Sequence, residues 1–195
     1  MSDATSAADG EMSVVDRYVA ALARFGEEVR DVQDHEWDLP TPCTEWDVRS
    51  VVAHVVIGEA QVAPLVAGES LASSDEVDAS IVGTHPMSVW RGTALTAIDA
   101  AKSPGMVDTM YDHPKGRLLG AHLLGFRICE NLVHAHDLAV AVSRPQPIDE
   151  AQAAWCLDFW LPRAEDLLAM AEFGVASEPA ADASAADRLL ALLGR

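Results

Sequence analysis

The sequence predicts an all-α fold, a single soluble helical bundle. Hydrophobic residues make up 50% of the 195-residue chain, and alanine and leucine, which lose little conformational freedom in a helix, are abundant. Most long segments repeat their apolar residues at helical spacing, and proline, glycine or capping residues separate these segments. A chain of this length buries a sizeable core without disulfides, so one domain is expected over residues 12–195, after a disordered leader at residues 1–11.

Periodicity predicts five long helices and one short amphipathic helix. Thr44 followed by Asp47 resembles a capping box with Asp in place of Glu, and it sets the start of the second helix. Residues 69–83 predict a long mobile connection, and the turn signal at residues 113–116 predicts a small hairpin. Pro162 is expected to kink the fifth helix. The predicted helices span about residues 12–32, 45–68, 86–101, 121–142, 149–173 and 186–194.

The charge of the chain excludes two classes of partner. Its formal charge is −18, from 31 acidic against 13 basic side chains. Nucleic acids and anionic membranes are bound by clustered lysine and arginine, and the sequence contains no such cluster. No segment has the roughly 18 apolar residues of a membrane span, and the first residues do not resemble a signal peptide.

The three cysteines are Cys43, Cys129 and Cys156. They form no CxxC pair, so neither a zinc ribbon nor a disulfide scaffold is indicated. A cytoplasmic protein with reduced thiols is therefore expected. Cys43 is interpreted as a buried structural thiol, because a straight helix would place it roughly 16 Å from His54.

The predicted fourth helix contains Glu130 and His134, which lie on one face because they are four residues apart. Carboxylate oxygen and imidazole nitrogen are suitable ligands for Zn²⁺, Ni²⁺ or Fe²⁺. His54, midway along the apolar second helix, is the third candidate. Together they form a two-histidine, one-carboxylate set with an open position for water or substrate. Two ordinary alternatives stay open: an ion pair between Glu130 and His134, and a hydrogen-bonded core histidine at position 54.

Three neighbours of this set are candidates for supporting roles. Asp137 lies one turn beyond His134 and is predicted to orient it, the alternative being an ordinary interhelical hydrogen bond. Arg127 lies one turn before Glu130 and either binds an anionic substrate or pairs with that glutamate. Arg91, on the third helix, is the second candidate for an anionic substrate.

Three strings of the sequence resemble a known family: DLPTPCTEWDVRSVVAHVV, ENLVHAHDLAVAV and DRLLALLG. They are similar to the DinB-like superfamily, in its branch of mycothiol-dependent maleylpyruvate isomerases and small metal-binding relatives. In these relatives a proline-rich segment leads into a helix that carries a histidine ligand, and a later acid-x-x-x-His supplies two more. The resemblance therefore assigns the metal ligands to His54, Glu130 and His134. It also implies a four-helix bundle with a long crossover between helices 2 and 3, here with an extra C-terminal helix or tail.

The resemblance implies a metal-dependent enzyme that uses a low-molecular-weight thiol of the mycothiol type. Zinc is the first candidate, with nickel and iron as alternatives, and the bound thiol would attack a small electrophilic substrate. The isomerase of this family is a longer protein whose C-terminal domain contributes to its pocket, so a thiol transferase is expected rather than maleylpyruvate isomerisation. Two alternatives stay open: a binding protein without catalysis, and a specialised-pathway enzyme that uses the bundle cavity with the metal optional. A homodimer is common among such bundles, and the sequence leaves it undecided.

Overall fold

Helices dominate the computed structural model, which describes residues 12–71, 77–114, 116–163 and 175–195. The predicted all-α class is therefore confirmed. One antiparallel hairpin, with strands β1 (Met110–His113) and β2 (Gly116–Leu119), comes directly before the helix that begins at Gly120, as the turn signal predicted. The helices are α1 (Val14–Asp31), α2 (Val48–Ala60), α3 (Val62–Val66), α4 (Pro86–Ala101), α5 (Gly120–Ala141), α6 (Glu150–Trp160) and α7 (Ala185–Leu192).

Among the described residues, four helices pack around the apolar core. Helix α1 packs against α4 and α5, and α2 packs against the same two helices. The rings of Phe25 and Trp90 meet edge to face with their centroids 5.0 Å apart. Gly26 permits this approach, because a Cβ at that position would lie 2.6 Å from Nε1 of Trp90. Helices α6 and α7 pack on each other beside α5.

The predicted start of the second helix near Glu45 is wrong by about one turn. Helix α2 begins at Val48, and the carboxylate of Asp47 caps it by accepting a hydrogen bond from the Ser50 amide at 2.8 Å. The Val48 amide donates to the carbonyl of Leu39 at 3.0 Å. The preceding loop thus supplies an acceptor for an amide that has no partner within the helix. This hydrogen bond also fixes the loop against α2.

The predicted second helix also divides, because Pro64 has no amide hydrogen to donate. After the break at Gln61, Pro64 lies in the first turn of α3. Amides in the first turn have no partner within the helix, so proline is tolerated there.

Two more predictions differ from the structure in part. Within the expected mobile connection, Ala79–Val82 forms a 3-10 turn that packs on α2 and buries Val82 completely. The helix expected over residues 149–173 is α6 in the structure. Its α-helical part ends at Trp160, and a 3-10 turn that contains Pro162, Leu161–Arg163, follows it. Residues 1–11, 72–76 and 164–174, on which the leader, part of the connection and the rest of that helix were predicted, lie outside the described residues. None of the described helices is both long and apolar enough to cross a membrane.

Candidate metal centre

The loop before α2 forms one wall of the site. The hydroxyl of Thr41 donates to the carbonyl of Trp46 at 2.8 Å and accepts from the Cys43 amide at 3.2 Å. These two bonds cross-link the loop. It places the indole of Trp46 on the imidazole of His54, with ring centroids 4.5 Å apart and planes 33° from parallel.

The structure brings together the three predicted metal ligands, which we call the trio: His54 from α2, and Glu130 and His134 from α5. Oε2 of Glu130 lies 2.8 Å from Nε2 of His54 and 3.6 Å from Nε2 of His134. One ligand atom from each side chain lies within 4.8 Å of the other two. The trio therefore has the spacing of a candidate site for one cation.

Burial and hydrogen bonding set the protonation of the trio. Burial raises the pKa of Glu130, but interactions with His134 and His54 outweigh it and hold this pKa well below its ordinary value. Burial lowers the pKa of His54 against the opposing bond to Glu130. Both residues are thus in the form that binds a metal. For His134, burial lowers the pKa, but interactions with Asp137, Cys43 and Glu130 outweigh it and raise it well above its ordinary value. A metal at this ring therefore displaces a proton.

One ring nitrogen of His134 makes a hydrogen bond, and the other has no hydrogen-bond partner among the described residues. Its Nδ1 donates to Oδ2 of Asp137 at 2.9 Å. Its Nε2 is inaccessible to solvent and has no hydrogen-bond partner among the described residues. A buried polar atom without a partner is costly, whereas a histidine bonded to a carboxylate through one nitrogen commonly binds a metal through the other. The donor set therefore fits a divalent cation.

Asp137 joins this histidine to two further side chains. Its Oδ1 accepts from Nε of Arg195 at 2.8 Å, and Cys43 donates from Sγ to Oδ2 at 3.3 Å. Cys43 is buried, as expected of a structural thiol, but it lies beside the partner of His134 because the loop folds back against α5. Asp137 is thus placed where the sequence predicted an orienting residue.

A second buried network surrounds Glu59, also at the interface of α2 and α5. Oε1 of Glu59 accepts from Nε of Arg127 at 3.0 Å and from Nδ2 of Asn131 at 2.6 Å. The hydroxyl of Tyr18 donates to the other oxygen, and burial raises the pKa of this tyrosine, which keeps the donor protonated. Nη1 of Arg127 lies 3.7 Å from Oε2 of Glu130. This guanidinium therefore connects the two carboxylates.

The two predicted anion-binding arginines lie in different places. Arg127 is nearly buried and lies against α2, where a Cβ on Gly58 would come within 2.5 Å of its Cζ. Arg91 is exposed on α4 and lines a surface groove with residues of α1, among them Glu27. The structure brings Arg127 next to the trio and leaves Arg91 away from it.

Four residues of these networks were not among the predicted site residues: Tyr18, Glu59, Asn131 and Arg195. Part of the signal was present. Polar residues at positions 127, 130, 131, 134 and 137 follow helical spacing along α5, and this pattern indicates one inward polar face. Glu59 is likewise the one acid of the apolar α2. Arg195 is 58 residues from Asp137 and has no local signal.

A cleft of about 710 Å³ lies between α2, α3 and α4. Glu59 lines it, together with small side chains such as Ala60, Ala63 and Gly92. None of the trio lines this cleft. The cleft is connected to the trio only through Glu59, which pairs with Arg127 beside Glu130.

Comparison with known proteins identifies the family. Residues 18–139 match the mycothiol maleylpyruvate isomerase N-terminal domain. The chain belongs to this family. Two uncharacterised proteins, from two strains of Mycobacterium tuberculosis, are each 31% identical over 166 residues, which cover 80% of this chain and 83% of theirs.

A solved structure has a similar fold. It is the crystal structure of a histidine-to-alanine mutant of mycothiol-dependent maleylpyruvate isomerase, with a TM-score of 0.58 and 16% sequence identity. The match covers 72% of this chain and 66% of that one. At this identity the likeness concerns the fold alone.

Proposed function

We propose that this protein binds one divalent metal ion through His54, Glu130 and His134. In this proposal the protein is a transferase or isomerase that uses the metal and a thiol cosubstrate to act on a small electrophile. The observation that carries the proposal is Nε2 of His134, which is buried and has no hydrogen-bond partner among the described residues. Zinc suits this set of two nitrogens and one oxygen, and nickel and ferrous iron are alternatives.

The thiol cosubstrate is inferred from the family. The name of the matched family and that of the structural neighbour both refer to mycothiol. A bound divalent metal lowers the pKa of a coordinated thiol and so supplies a thiolate nucleophile at neutral pH. The side chains of His54 and Glu130 are 18% and 13% exposed, whereas that of His134 is closed off from solvent. The thiol therefore approaches from the His54 side.

Within this proposal the neighbouring residues position the ligands. Trp46 stacks on His54, which restricts the orientation of that imidazole and shields one of its faces. Arg127 is the better placed of the two candidate anion anchors, because it lies beside Glu130 whereas Arg91 faces solvent on α4. Its guanidinium already bonds Glu59, so we assign it first to holding the carboxylates of this interface.

Metal analysis tests the site without knowledge of the substrate. The purified protein, metal-depleted and then reconstituted with zinc, is expected to retain a stoichiometric ion that His54→Ala and His134→Ala lose. His136→Ala is the matched control, because His136 lies on α5 outside the trio and is only half-buried. Circular dichroism identifies variants that fail to fold. Absence of metal from the wild type, or retention of metal by both ligand variants, contradicts the proposal.

Cobalt substitution tests the thiol cosubstrate. Mycothiol added to the Co²⁺-loaded protein is expected to produce a thiolate-to-cobalt charge-transfer absorption. S-methylated mycothiol, which cannot ionise at sulfur, is the control and should leave the spectrum unchanged. A cobalt-loaded protein that does not respond to mycothiol would contradict thiol dependence and favour a metal-binding protein without this chemistry.

A further inference from the structure

The C-terminal end of α7 turns Arg195 toward α5. Leu189 and Leu193 are fully buried and anchor the helix end in the core. Gly194 then adopts a positive φ of 71°, and the Arg195 amide donates to the carbonyl of Leu190 at 2.8 Å. This is the Schellman arrangement, in which glycine after a helix lets the chain reverse. The reversal directs the Arg195 side chain inward.

The guanidinium of Arg195 bridges two buried side chains beside the trio. Its Nε donates to Oδ1 of Asp137 at 2.8 Å, and its Nη2 donates to Sγ of Cys43 at 2.6 Å. The side chain of Arg195 is only 3% exposed, and that of Asp137 is fully buried. The other oxygen of Asp137 accepts from Nδ1 of His134. A continuous chain of hydrogen bonds therefore runs from α7 through Asp137 to His134.

Arg195 also explains why the trio, and not a neighbouring group, is the candidate metal site. Ligand atoms of Cys43, His134 and Asp137 likewise lie within 4.8 Å of one another. However, Arg195 already donates to two of these three side chains. A metal ion there would lie against a guanidinium, and the two cations would repel each other. The guanidinium supplies the positive charge on this side of His134, and Nε2 remains on the side of Glu130.

We propose that Arg195 is a positioning residue for the metal centre, which acts by holding Asp137 and, through it, the imidazole of His134. This inference rests on the proposed function, because it assumes that Nε2 of His134 binds a metal. Loss of a carboxylate behind a histidine ligand weakens metal binding by about 10–100-fold. Arg195 contacts Asp137 and not His134 itself. Its loss is therefore expected to weaken metal binding by about tenfold, the lower end of this range.

Cobalt titration of the metal-free protein measures this effect. Arg195→Gln is expected to raise the Kd for Co²⁺ about tenfold and to alter the visible ligand-field bands. Arg195→Lys keeps the charge but cannot bridge Asp137 and Cys43 with a planar fork, so it should recover only part of the affinity. Arg188→Gln, on the exposed face of α7, is the matched control and should bind as the wild type does. An Arg195→Gln variant with wild-type affinity and spectrum overturns the proposal.

A double variant distinguishes positioning from general loosening of α7. If Arg195 acts through Asp137, then Arg195→Gln in an Asp137→Asn background should cause little further loss of Co²⁺ affinity. Two independent losses that multiply would show that Arg195 acts by another route, and would overturn the proposal. Thermal unfolding of each variant checks that α7 remains docked.

Proton NMR of the metal-free protein separates this proposal from the metal proposal. The hydrogen on Nδ1 of His134 is expected to give a slowly exchanging downfield resonance, because Asp137 accepts it in the buried interior. Arg195→Gln should broaden or shift this resonance, and Arg188→Gln should not. A wild type that binds no metal would refute the proposed function, while the resonance would still show whether Arg195 holds the Asp137–His134 pair. An unchanged resonance in Arg195→Gln overturns the positioning role.

Discussion

Glu59 and Glu130 are two carboxylates at the same interface of α2 and α5, the first inaccessible and the second 13% exposed, and they are neutralised in different ways. The side chain of Glu59 is completely inaccessible, and the guanidinium of Arg127 lies 2.9 Å from it. Tyr18 and Asn131 complete its hydrogen bonds. Glu130 is instead contacted by two imidazoles, and Arg127 lies further away, at 3.7 Å.

The difference separates a structural charge pair from a candidate binding site. Around Glu59 the chain supplies its own permanent cation, so no further ion is needed. Around Glu130 it supplies imidazoles, whose nitrogens bind protons or metals reversibly. The positive charge nearest to Glu130 is therefore exchangeable, because a proton on His134 or a metal ion can supply it.

The largest effect is expected from Arg127→Met. This change leaves the inaccessible carboxylate of Glu59 without its cation, and breaking a buried pair in this way costs about 3–5 kcal/mol. Urea unfolding in the presence of a chelator measures the loss, and Arg91→Met on the exposed face of α4 is the control, expected within about 0.5 kcal/mol of wild type. A loss below about 1 kcal/mol for Arg127→Met would show that the pair is not a structural requirement.

The helices of this protein follow from local patterns that a sequence displays. Pro86 begins α4 and the apolar repeat continues to Ala101, as predicted. The start of α2 was misplaced because both Thr44 and Asp47 are good capping residues, and the choice depends on a bond to Leu39 in the preceding loop. Long-range geometry, not propensity, decided that boundary.

The site could be predicted only in part. Glu130 and His134 follow from the spacing of one helix, His54 is suggested by its place midway along an apolar helix, and the family resemblance assigns all three as ligands. The contact of Cys43 with Asp137 spans 94 residues, and a straight-helix estimate of distance could not anticipate a loop that folds back. Arg195 depends on a glycine turn at the end of a helix that is remote in sequence.

The next effect concerns Glu130 itself. Zinc at a hundred times its Kd should stabilise the wild type by about 2.7 kcal/mol, and Glu130→Gln should abolish most of this increment because a ligand is lost. Thermal unfolding with zinc and with a chelator measures it. Glu45→Gln, at an exposed loop position, should keep the full increment. A Glu130→Gln variant that zinc stabilises as strongly as the wild type would remove this residue from the proposed ligand set.

A smaller effect is expected from Tyr18→Phe. Glu59 loses one donor, and a hydrogen bond to a charged group contributes about 2 kcal/mol. Because this donor belongs to the structural pair, stability should fall while the Kd for zinc stays unchanged. Tyr111→Phe, in the hairpin, is the matched control. A weaker zinc affinity in Tyr18→Phe would show that the two carboxylates are not independent, and that Arg127 transmits a change from one to the other.

The smallest effect is expected from Gly194→Ala. This variant extends the comparison to Asp137, whose carboxylate, like that of Glu59, is paired with an arginine of the protein. An alanine at positive φ costs about 1 kcal/mol. Gly68, at the end of α3, has a φ of 81°, so Gly68→Ala should cost a similar amount. Only Gly194→Ala should also weaken Co²⁺ binding, because only that turn directs Arg195 to Asp137. Equal Co²⁺ affinities in the two variants would mean that the backbone turn is not what holds the guanidinium in place, and that the core packing of α7 suffices.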